Sequence, residues 1–511
     1  MPRSGNLFRN WRWCPVALAV VGIGGCAVGP SFHRPPLAVP AHYRPAGERV
    51  RGERTAPMAY RQHAAAGRGE RGSWWRLFRS SQLDALVRQA LADNHDVAAA
   101  QATLSRAREL VTVGAAARYP QIGLNAATGR QKYGAEFLGP DVFPPFSFIG
   151  AGVGVDYMLD YLGRTRRTIE ESRALEQYQR SELEATRLEL TGEVAAQFVI
   201  AATAREQIRA IGDLLAQDRR NVALVSGAVA AGSEPRLDVL TAQTELAGDE
   251  TLLPPLYQKL TTARHALAVL LGQAPASWHS PEPVLAGLTL PQQVPVSLPS
   301  RLLKRRPDIR AAEAQLHAAT AAVGIATANL YPQITLSGSL SQEALRPQHL
   351  FDASSLAWSL IGGLTAPLFE GGKLQAQRRA ALDVLHERAD LYQQVVIAAF
   401  GQVADALDGL RHDAELRAAQ ARALELSRHR LTLERESYRA GNSGLLPVLD
   451  AQRQRARAEL GLLGAEERQY LDTIRLLLAA GGRVGPPDSS TTAPTALKPP
   501  TASVHRLSPG L

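Results

Sequence analysis

The chain has 511 residues, of which 45% are apolar and only 6% aromatic, and this composition favours an ordered, mainly helical protein over an all-β one. Its two cysteines, Cys14 and Cys26, leave the rest of the chain without a disulfide, a thiolate metal site or a thiol nucleophile. The formal charge of +9 includes three arginines near the N-terminus and is too small and too dispersed to predict nucleic-acid binding.

The first 25 residues are predicted to be a lipoprotein signal peptide. Three arginines precede an apolar stretch of 11 residues, 14–24, which is too short to cross a bilayer as a mature helix. Residues 23–26, Ile-Gly-Gly-Cys, resemble a lipobox, so we expect cleavage before Cys26 and acylation of that cysteine. Because Ala27 is not aspartate, the resemblance favours sorting to the outer membrane. An ordinary signal peptide with a chance cysteine is the alternative.

The chain contains two copies of one unit. Tyr119-Pro120-Gln121-Ile122 recurs as Tyr331-Pro332-Gln333-Ile334 at an offset of 212, and residues 239–243 recur as 448–452 at an offset of 209. A period of this length indicates a duplicated half and not a solenoid unit. The predicted division is 26–75 for a lipid-anchored linker, 76–280 for the first repeat, 281–306 for an inter-repeat linker, 307–482 for the second repeat and 483–511 for a disordered tail.

Each repeat is predicted to contain two β-strands. They lie at about 120–133 and 147–160 in the first repeat and at about 332–343 and 356–367 in the second. Between 149 and 159 the odd positions are all apolar, whereas the even ones are mostly glycine. Strands of about ten residues with one apolar face fit an outer-membrane β-barrel. A soluble, half-buried hairpin would show the same alternation.

The long helices favour the membrane interpretation. No proline occurs between Gly163 and Ala231, and at about 1.5 Å per residue this segment makes a rod of roughly 100 Å. In the second repeat Val396, Val403 and Leu410 recur with the 3.5-residue period of packed coiled-coil helices. After each long helix we expect a turn and then another helix. A coiled-coil stalk without a pore would share this pattern.

The number of strands predicts an oligomer. Four strands cannot close a barrel, and an open edge in lipid leaves backbone groups unpaired at several kcal/mol each. Two copies give eight strands, whose interior is filled by side chains, whereas three copies give twelve strands and begin to leave a lumen. A pore joined to rods of about 100 Å suits transport from the periplasm to the exterior.

Several motifs carry a family resemblance. Residues 26–30, Arg305–Glu313, the two Tyr-Pro-Gln-Ile motifs and residues 367–372 resemble the outer membrane efflux proteins, the TolC-like channels. Within them the chain is similar to the lipoproteins of the OprM and NodT type, which serve resistance-nodulation-division (RND) pumps. The resemblance implies a mainly α fold with two internal repeats, a long periplasmic α-helical barrel, and four strands per chain that complete a 12-stranded transmembrane β-barrel in a trimer.

The resemblance also implies function and partners. It identifies an exit duct for drugs or other toxic small molecules that is no enzyme and acts as a homotrimer with a periplasmic membrane-fusion adaptor, an inner-membrane RND pump and outer membrane lipids. Metal-ion export, type I protein secretion and a pore-less coiled-coil lipoprotein scaffold are the alternatives. No cofactor, metal or nucleic acid is expected, because no His-Glu-x-x-His motif or nucleotide-binding glycine loop is present.

The candidate functional residues lie at two turns between helices. A glycine after a long helix is ordinarily a helix cap, and the resemblance adds contact with the adaptor. The adaptor-contact residues are Gly232, Ser233, Gly441, Asn442, Ser443 and Gly444.

Two aspartates downstream of these turns are the candidates for the periplasmic aperture. The resemblance places Asp238 and Asp450 there, although a carboxylate in a first helical turn is also favourable by itself. Relatives of the OprM type carry an aspartate in the second turn, where this chain reads Asn442-Ser443-Gly444. The ring of charge at the aperture is therefore either missing or set elsewhere.

Overall fold

A computed structural model describes residues 27–36, 43, 60–65, 73–132, 144–233, 235–279, 281–295 and 299–482. The predicted signal peptide, Cys26 and the predicted tail at 483–511 lie outside the described residues. In the described part, helices dominate, and the strands form one four-stranded sheet and one small two-stranded pair. The predicted fold class, mainly helical with four long strands per chain, is confirmed.

The described chain runs through the following elements. The helices are α1 (Ser81–Asp93), α2 (His95–Ala116), α3 (Arg164–Ala230), α4 (Arg236–Glu250), α5 (Leu253–Leu270), α6 (Pro299–Arg305), α7 (Pro307–Ala328), α8 (Lys373–Arg439) and α9 (Leu445–Ala479). The strands are β1 (His63–Ala65), β2 (Gln121–Gln131), β3 (Phe146–Leu159), β4 (Gln293–Pro295), β5 (Gln333–Ala344) and β6 (Leu356–Thr365). No described helix has the length and hydrophobicity that crossing a bilayer requires.

The two sequence repeats fold alike. Helices α2 and α7 each have 22 residues and start 212 positions apart, which is the offset of the Tyr-Pro-Gln motifs. Helices α3 and α8 each have 67 residues and start 209 positions apart. At about 1.5 Å per residue, each of these two rods is about 100 Å long.

The helix after the first turn differs from the sequence-based expectation. We expected a single helix there, but the chain breaks at Thr251 and Leu252 and starts α5 with Pro254 and Pro255 in its first turn. Proline lacks the amide hydrogen that a continuous helix needs and clashes with the preceding turn. The second repeat has no proline at the equivalent place, and α9 continues for 35 residues.

The four-stranded sheet joins the two repeats. Its order is β2-β3-β5-β6, and all neighbouring pairs are antiparallel. The hairpin β2-β3 comes from the first repeat and β5-β6 from the second, so the central β3-β5 pair connects them. Strands β2 and β6 are the edges, each with one neighbouring strand within the described chain.

The helical rods pack through a narrow seam. The predicted seam residues Val396, Val403 and Leu410 of α8 are buried, and Leu424 and Leu431 continue the line. The main core lies where α1, α3, α7, α8 and α9 meet the 3₁₀ turn Trp74–Phe78. Six of its members are alanine, and at these positions the helix axes can approach closely.

The N-terminal residues 27–34, here called the strap, lie across the junction of sheet and helices. The Val28 amide donates to the carbonyl of Leu162 at 3.0 Å. The buried guanidinium of Arg167 reaches the carbonyls of Val28 and Gly29 at 3.3 and 3.4 Å. Further along, Arg34 forms a bidentate ion pair with Glu313 of α7. The strap therefore fixes the start of the described chain at the point where β3 becomes α3.

Candidate functional site

The register of the sheet gives it two chemically different faces. On one face lie the large apolar side chains, and Trp358 and Leu360 of β6 are 75% and 79% exposed. The members of this apolar face are Ile122, Leu124, Ile149, Val153, Val155, Leu336, Leu340, Trp358, Leu360 and Leu364. An exposed apolar band of this extent is unfavourable in water and is suited to contact with lipid acyl chains.

The opposite face is built from small residues. Gly154 of β3 is in register with Gly123 and Ser339, and Gly152 with Asn125 and Ser341. Ser339 in turn pairs with Ser359, and their hydroxyl oxygens are 2.8 Å apart. Small polar side chains on this face would leave space for water and solutes. We call this the luminal face.

The two turns that follow the long helices have the same geometry. Gly232 and Gly441 adopt the left-handed conformation, with φ of 78° and 74°. In each turn the glycine amide donates to the carbonyl three residues earlier, and the next amide to the carbonyl five residues earlier, at 2.9–3.0 Å. This is the Schellman motif, in which glycine is favoured. The interpretation of both glycines as helix caps is therefore correct.

The predicted adaptor-contact residues are accessible at these turns. Gly232, Ser233, Gly441, Asn442 and Gly444 are exposed, whereas Ser443 is half-buried. Apart from the two adjoining residues, no atom of the described chain would come within 4 Å of a Cβ added at Gly232, Gly441 or Gly444. Three exposed leucines, which were not predicted to be functional, flank the turns. They are Leu237, Leu240 and Leu446.

The two predicted aperture aspartates differ in their surroundings. Asp450 of α9 accepts from the guanidinium Nη2 of Arg430 on α8 at 2.9 Å and from Gln454 Nε2 at 3.1 Å. Both charged side chains are partly exposed. Asp238 is half-buried in the first turn of α4, where a carboxylate is favourable beside the helix N-terminus. The Asp450 carboxylate is thus neutralised by an arginine of its own chain.

An ion-pair cluster that was not predicted from the sequence lies between the two helices that follow these turns, α4 and α9. Arg453 of α9 binds Glu245 of α4 at 2.5 Å and Asp249 at 3.3 Å, and so ties the helices of the two repeats together. A buried hydrogen bond between the side-chain amides of Asn221 on α3 and Gln452 on α9, at 3.0 Å, lies in the same layer. The repeat offset of 209 offered one signal, because Arg453 stands where the first copy has a threonine.

A third acid belongs to this cluster. Burial raises the pKa of Asp218 on α3 to about 6, and the neighbouring carboxylate of Asp249 adds to the effect. Arg453 acts in the opposite direction on the same group. One guanidinium thus faces three carboxylates, and the cluster takes up a proton in mildly acidic medium.

A pair of carboxyl groups lies further from the turns along α8 and α9. Asp413 of α8 is buried and shares a hydrogen bond with Asp472 of α9. Burial and this shared hydrogen bond raise the pKa of Asp413 to about 7. The guanidinium of Arg475 binds the other side of Asp472 at 2.6 Å.

Within the described ranges, no group of three or more histidine, cysteine, aspartate or glutamate side chains is arranged to hold a metal ion. Apart from Asp238, the carboxylates described above lie beside arginines or beside one another.

The chain matches the sequence profile of the outer membrane efflux proteins over residues 86–273 and 298–482. It is 31% identical over 417 residues to the pyoverdine export outer membrane protein OpmQ of Pseudomonas putida, covering 80% of this chain and 87% of the relative. It is 28% identical over 475 residues to the outer membrane protein OprJ of Pseudomonas aeruginosa, covering 91% of this chain and 94% of the relative.

Solved structures give the same result. The outer-membrane channel OprN superposes with a TM-score of 0.78 at 29% identity, over 89% of this chain and 99% of that one. CusC, whose structures are described in terms of transmembrane channel formation, superposes with a TM-score of 0.75 at 25% identity, over 89% of this chain and all of the CusC chain (100%).

Proposed function

This chain belongs to the outer membrane efflux protein family and is an outer membrane efflux channel, and we propose that three copies of it form the exit duct of a tripartite RND-type pump. In this proposal an inner-membrane RND pump supplies the energy and a periplasmic adaptor connects it to the duct. The duct carries small toxic molecules, including drugs, from the periplasm to the exterior.

The two open edges of the sheet are the observation that carries this proposal. Strands β2 and β6 each have one neighbour within the described chain, while the apolar face of the sheet is suited to lipid. An unpaired strand edge in a bilayer costs several kcal/mol for each unsatisfied backbone group. Pairing β2 of one copy with β6 of the next removes both edges, and three copies give twelve strands, enough for an aqueous lumen.

The rods support the same assembly. Along α8 a line of apolar side chains remains exposed, although its buried seam already packs within the chain. The exposed members are Val384, Leu391, Leu426 and Leu433, which are separated by multiples of seven residues. A second copy packed on this line would bury them and continue the barrel below the membrane as a helical tube.

The lipid anchor is proposed at Cys26, which lies outside the described residues. Its neighbour Ala27 packs against Gly163, where a Cβ would come within 2.6 Å of the Ala27 Cβ. The strap thus starts at the junction of sheet and rods, where an acyl chain on the preceding cysteine would enter the inner leaflet of the outer membrane. One relative, SilC of Salmonella typhimurium, is named a probable outer membrane lipoprotein.

The adaptor is proposed to contact the two turns. Their accessible glycines let another backbone approach closely, and the flanking leucines offer apolar surface. We expect the Asn442→Arg variant, which places a long cation on the second turn, to reduce capture of a purified periplasmic adaptor of an RND pump that binds the wild-type protein. The matched control Ser277→Arg adds the same cation at an exposed turn far along the chain, after α5, and should leave capture unchanged.

The aperture is proposed to lie at the level of Asp238 and Asp450, closed by ion pairs between neighbouring helices. In this proposal the pairs Arg430–Asp450 and Arg453–Glu245 hold the resting arrangement. Opening requires the helices that carry them to separate.

Small organic molecules are proposed as the cargo. The names of relatives refer to pyoverdine export, solvent efflux and toluene efflux. Substrate choice is expected to depend mainly on the inner-membrane pump.

Conductance of the purified protein in planar bilayers tests the proposed function. The expected result is discrete current steps of uniform size, absent when the same preparation is heat-denatured. A pore-less scaffold would give no steps, and that result would overturn the proposal.

A further inference from the structure

The luminal face of the sheet carries charge of only one sign along the described strands. The face contains glycine, serine, alanine, threonine, asparagine and glutamine, with a few larger apolar residues. Its charged members are Asp156 of β3 and Glu343 of β5. The one cation in the same strands, Arg130 of β2, lies on the opposite face.

The two carboxylates stand at different heights on this face. Asp156 is in register with Gln121 and Ser337, near the ends of the strands that join the helices. Glu343 lies six residues further along β5 than Ser337, which corresponds to about 20 Å. Both side chains are exposed.

Glu343 lies beside an open cleft in the sheet. Its carboxylate accepts from Ser341 Oγ at 2.9 Å and borders a cleft of about 420 Å³ that Asn125, Phe148 and Gly150 also line. Gly150 and Gly152 place no side chain between the carboxylate and the open volume. Neither carboxylate has an arginine or lysine across the sheet in register with it. Arg164 of α3 approaches this face at its helical end, where its Nη1 lies 3.8 Å from the Sδ of Met158.

We propose that Asp156 and Glu343 make the membrane part of the duct select cationic over anionic solutes. The inference rests on the proposed function, because only a threefold barrel turns these residues into two rings of three carboxylates. It adds a selectivity filter within the duct, independent of the pump's choice of substrate.

The expected size of the effect follows from Coulomb's law. A carboxylate attracts a monovalent cation and repels a monovalent anion. At a distance of about 10 Å in water, the local concentration of the cation exceeds that of the anion by about fourfold. At roughly 10 mM salt the Debye length of about 30 Å lets all three carboxylates of a ring contribute, whereas at about 1 M salt the effect is screened out.

The test uses a cysteine as a reporter on the luminal face. Ser337→Cys places a thiol beside Asp156, and the wild-type protein measures any background from Cys26. The thiol is labelled from the exterior with a cationic methanethiosulfonate carrying trimethylammonium and, separately, with an anionic one carrying sulfonate. Taking the ratio of the two rates cancels any effect of the neighbouring carboxylate on the ionisation of the thiol itself.

We expect the rate ratio of cationic to anionic reagent at Ser337→Cys to exceed that of free 2-mercaptoethanol by at least about fourfold at low salt. Adding Asp156→Asn should bring the ratio close to the free value, and Glu343→Gln should lower it less. Arg130→Gln, which removes a charge from the other face, should leave it unchanged. About 1 M salt should abolish the preference.

Two outcomes separate the failure of this inference from failure of the proposed function. If Ser337→Cys reacts with both reagents at the free-thiol ratio, the duct stands and the charge selectivity is wrong. If Ser337→Cys is unreactive while Leu336→Cys, on the opposite face, reacts, the face assignment and the pore itself are wrong. Ser339→Cys provides a second reporter on the luminal face in case Ser337→Cys does not fold.

Discussion

The Asp413–Asp472 pair predicts that the stability of the helical rods depends on pH. The pKa of Asp413 is raised from 3.8 to about 7 by burial and by the carboxyl group of Asp472. Below about pH 3 the group is protonated in both the folded and the unfolded protein. As pH rises towards 7, Asp413 ionises first in the unfolded state, so the free energy of unfolding progressively decreases.

The size of this loss can be bounded. Each unit of pKa difference corresponds to about 1.4 kcal/mol, so the full difference is on the order of 4 kcal/mol per subunit at pH 8 as an upper limit. The guanidinium groups of Arg468 and Arg475 favour ionisation and reduce the penalty. An asparagine keeps a hydrogen-bond donor for Asp472 and removes the charge. We therefore expect Asp413→Asn to be more stable than wild type at pH 8 by roughly 1–4 kcal/mol.

Thermal unfolding of the detergent-solubilised protein at fixed scan rate, from pH 5 to pH 8.5, measures this difference. The wild-type transition temperature should fall across this range, and that of Asp413→Asn should fall less. The control is Asp405→Asn, which removes an exposed carboxylate from the same helix and should follow the wild type. The reasoning is refuted if Asp413→Asn keeps the wild-type pH dependence, or is the less stable protein at pH 8.

Three further substitutions test other parts of the structure. Arg453→Met leaves Glu245 without its cation, so we expect the free energy of unfolding to fall by about 3 kcal/mol. We also expect a larger resting conductance in planar bilayers. Unchanged conductance would show that this ion pair does not hold the aperture closed. Gly29→Ala would place a Cβ 2.5 Å from the Cα of Gly324 at a φ of 89°, so the strap should become sensitive to cleavage by chymotrypsin after Phe32. Equal protection in variant and wild type would contradict the packing. Trp358→Arg puts a charge on the apolar face and should reduce the yield of membrane-inserted protein, at a cost of up to about 4 kcal/mol. Normal insertion would show that this face does not contact lipid.

Much of the fold could be predicted because it depends on local patterns. The offsets of 209 and 212 in the sequence reappear as matched pairs of helices. The apolar odd positions of 149–159 predicted both the strand and its apolar side. The break between α4 and α5 was missed, although Pro254 and Pro255 are visible in the sequence.

The electrostatic details could not be predicted in this way. Arg453 is more than 200 residues from Glu245 in sequence, and only the packing of α9 against α4 brings them together. The raised pKa values of Asp218 and Asp413 likewise depend on burial between helices that a single sequence does not reveal. The roles of Asp238, Asp450 and the residues of the two turns stay predictions.

The mass of the intact assembly tests the central claim most directly. Native mass spectrometry of the mature, detergent-solubilised protein should show a single species of three chains, each carrying the mass of the acyl groups on Cys26. A stable single subunit, or an assembly of two, would contradict a barrel that three copies must close.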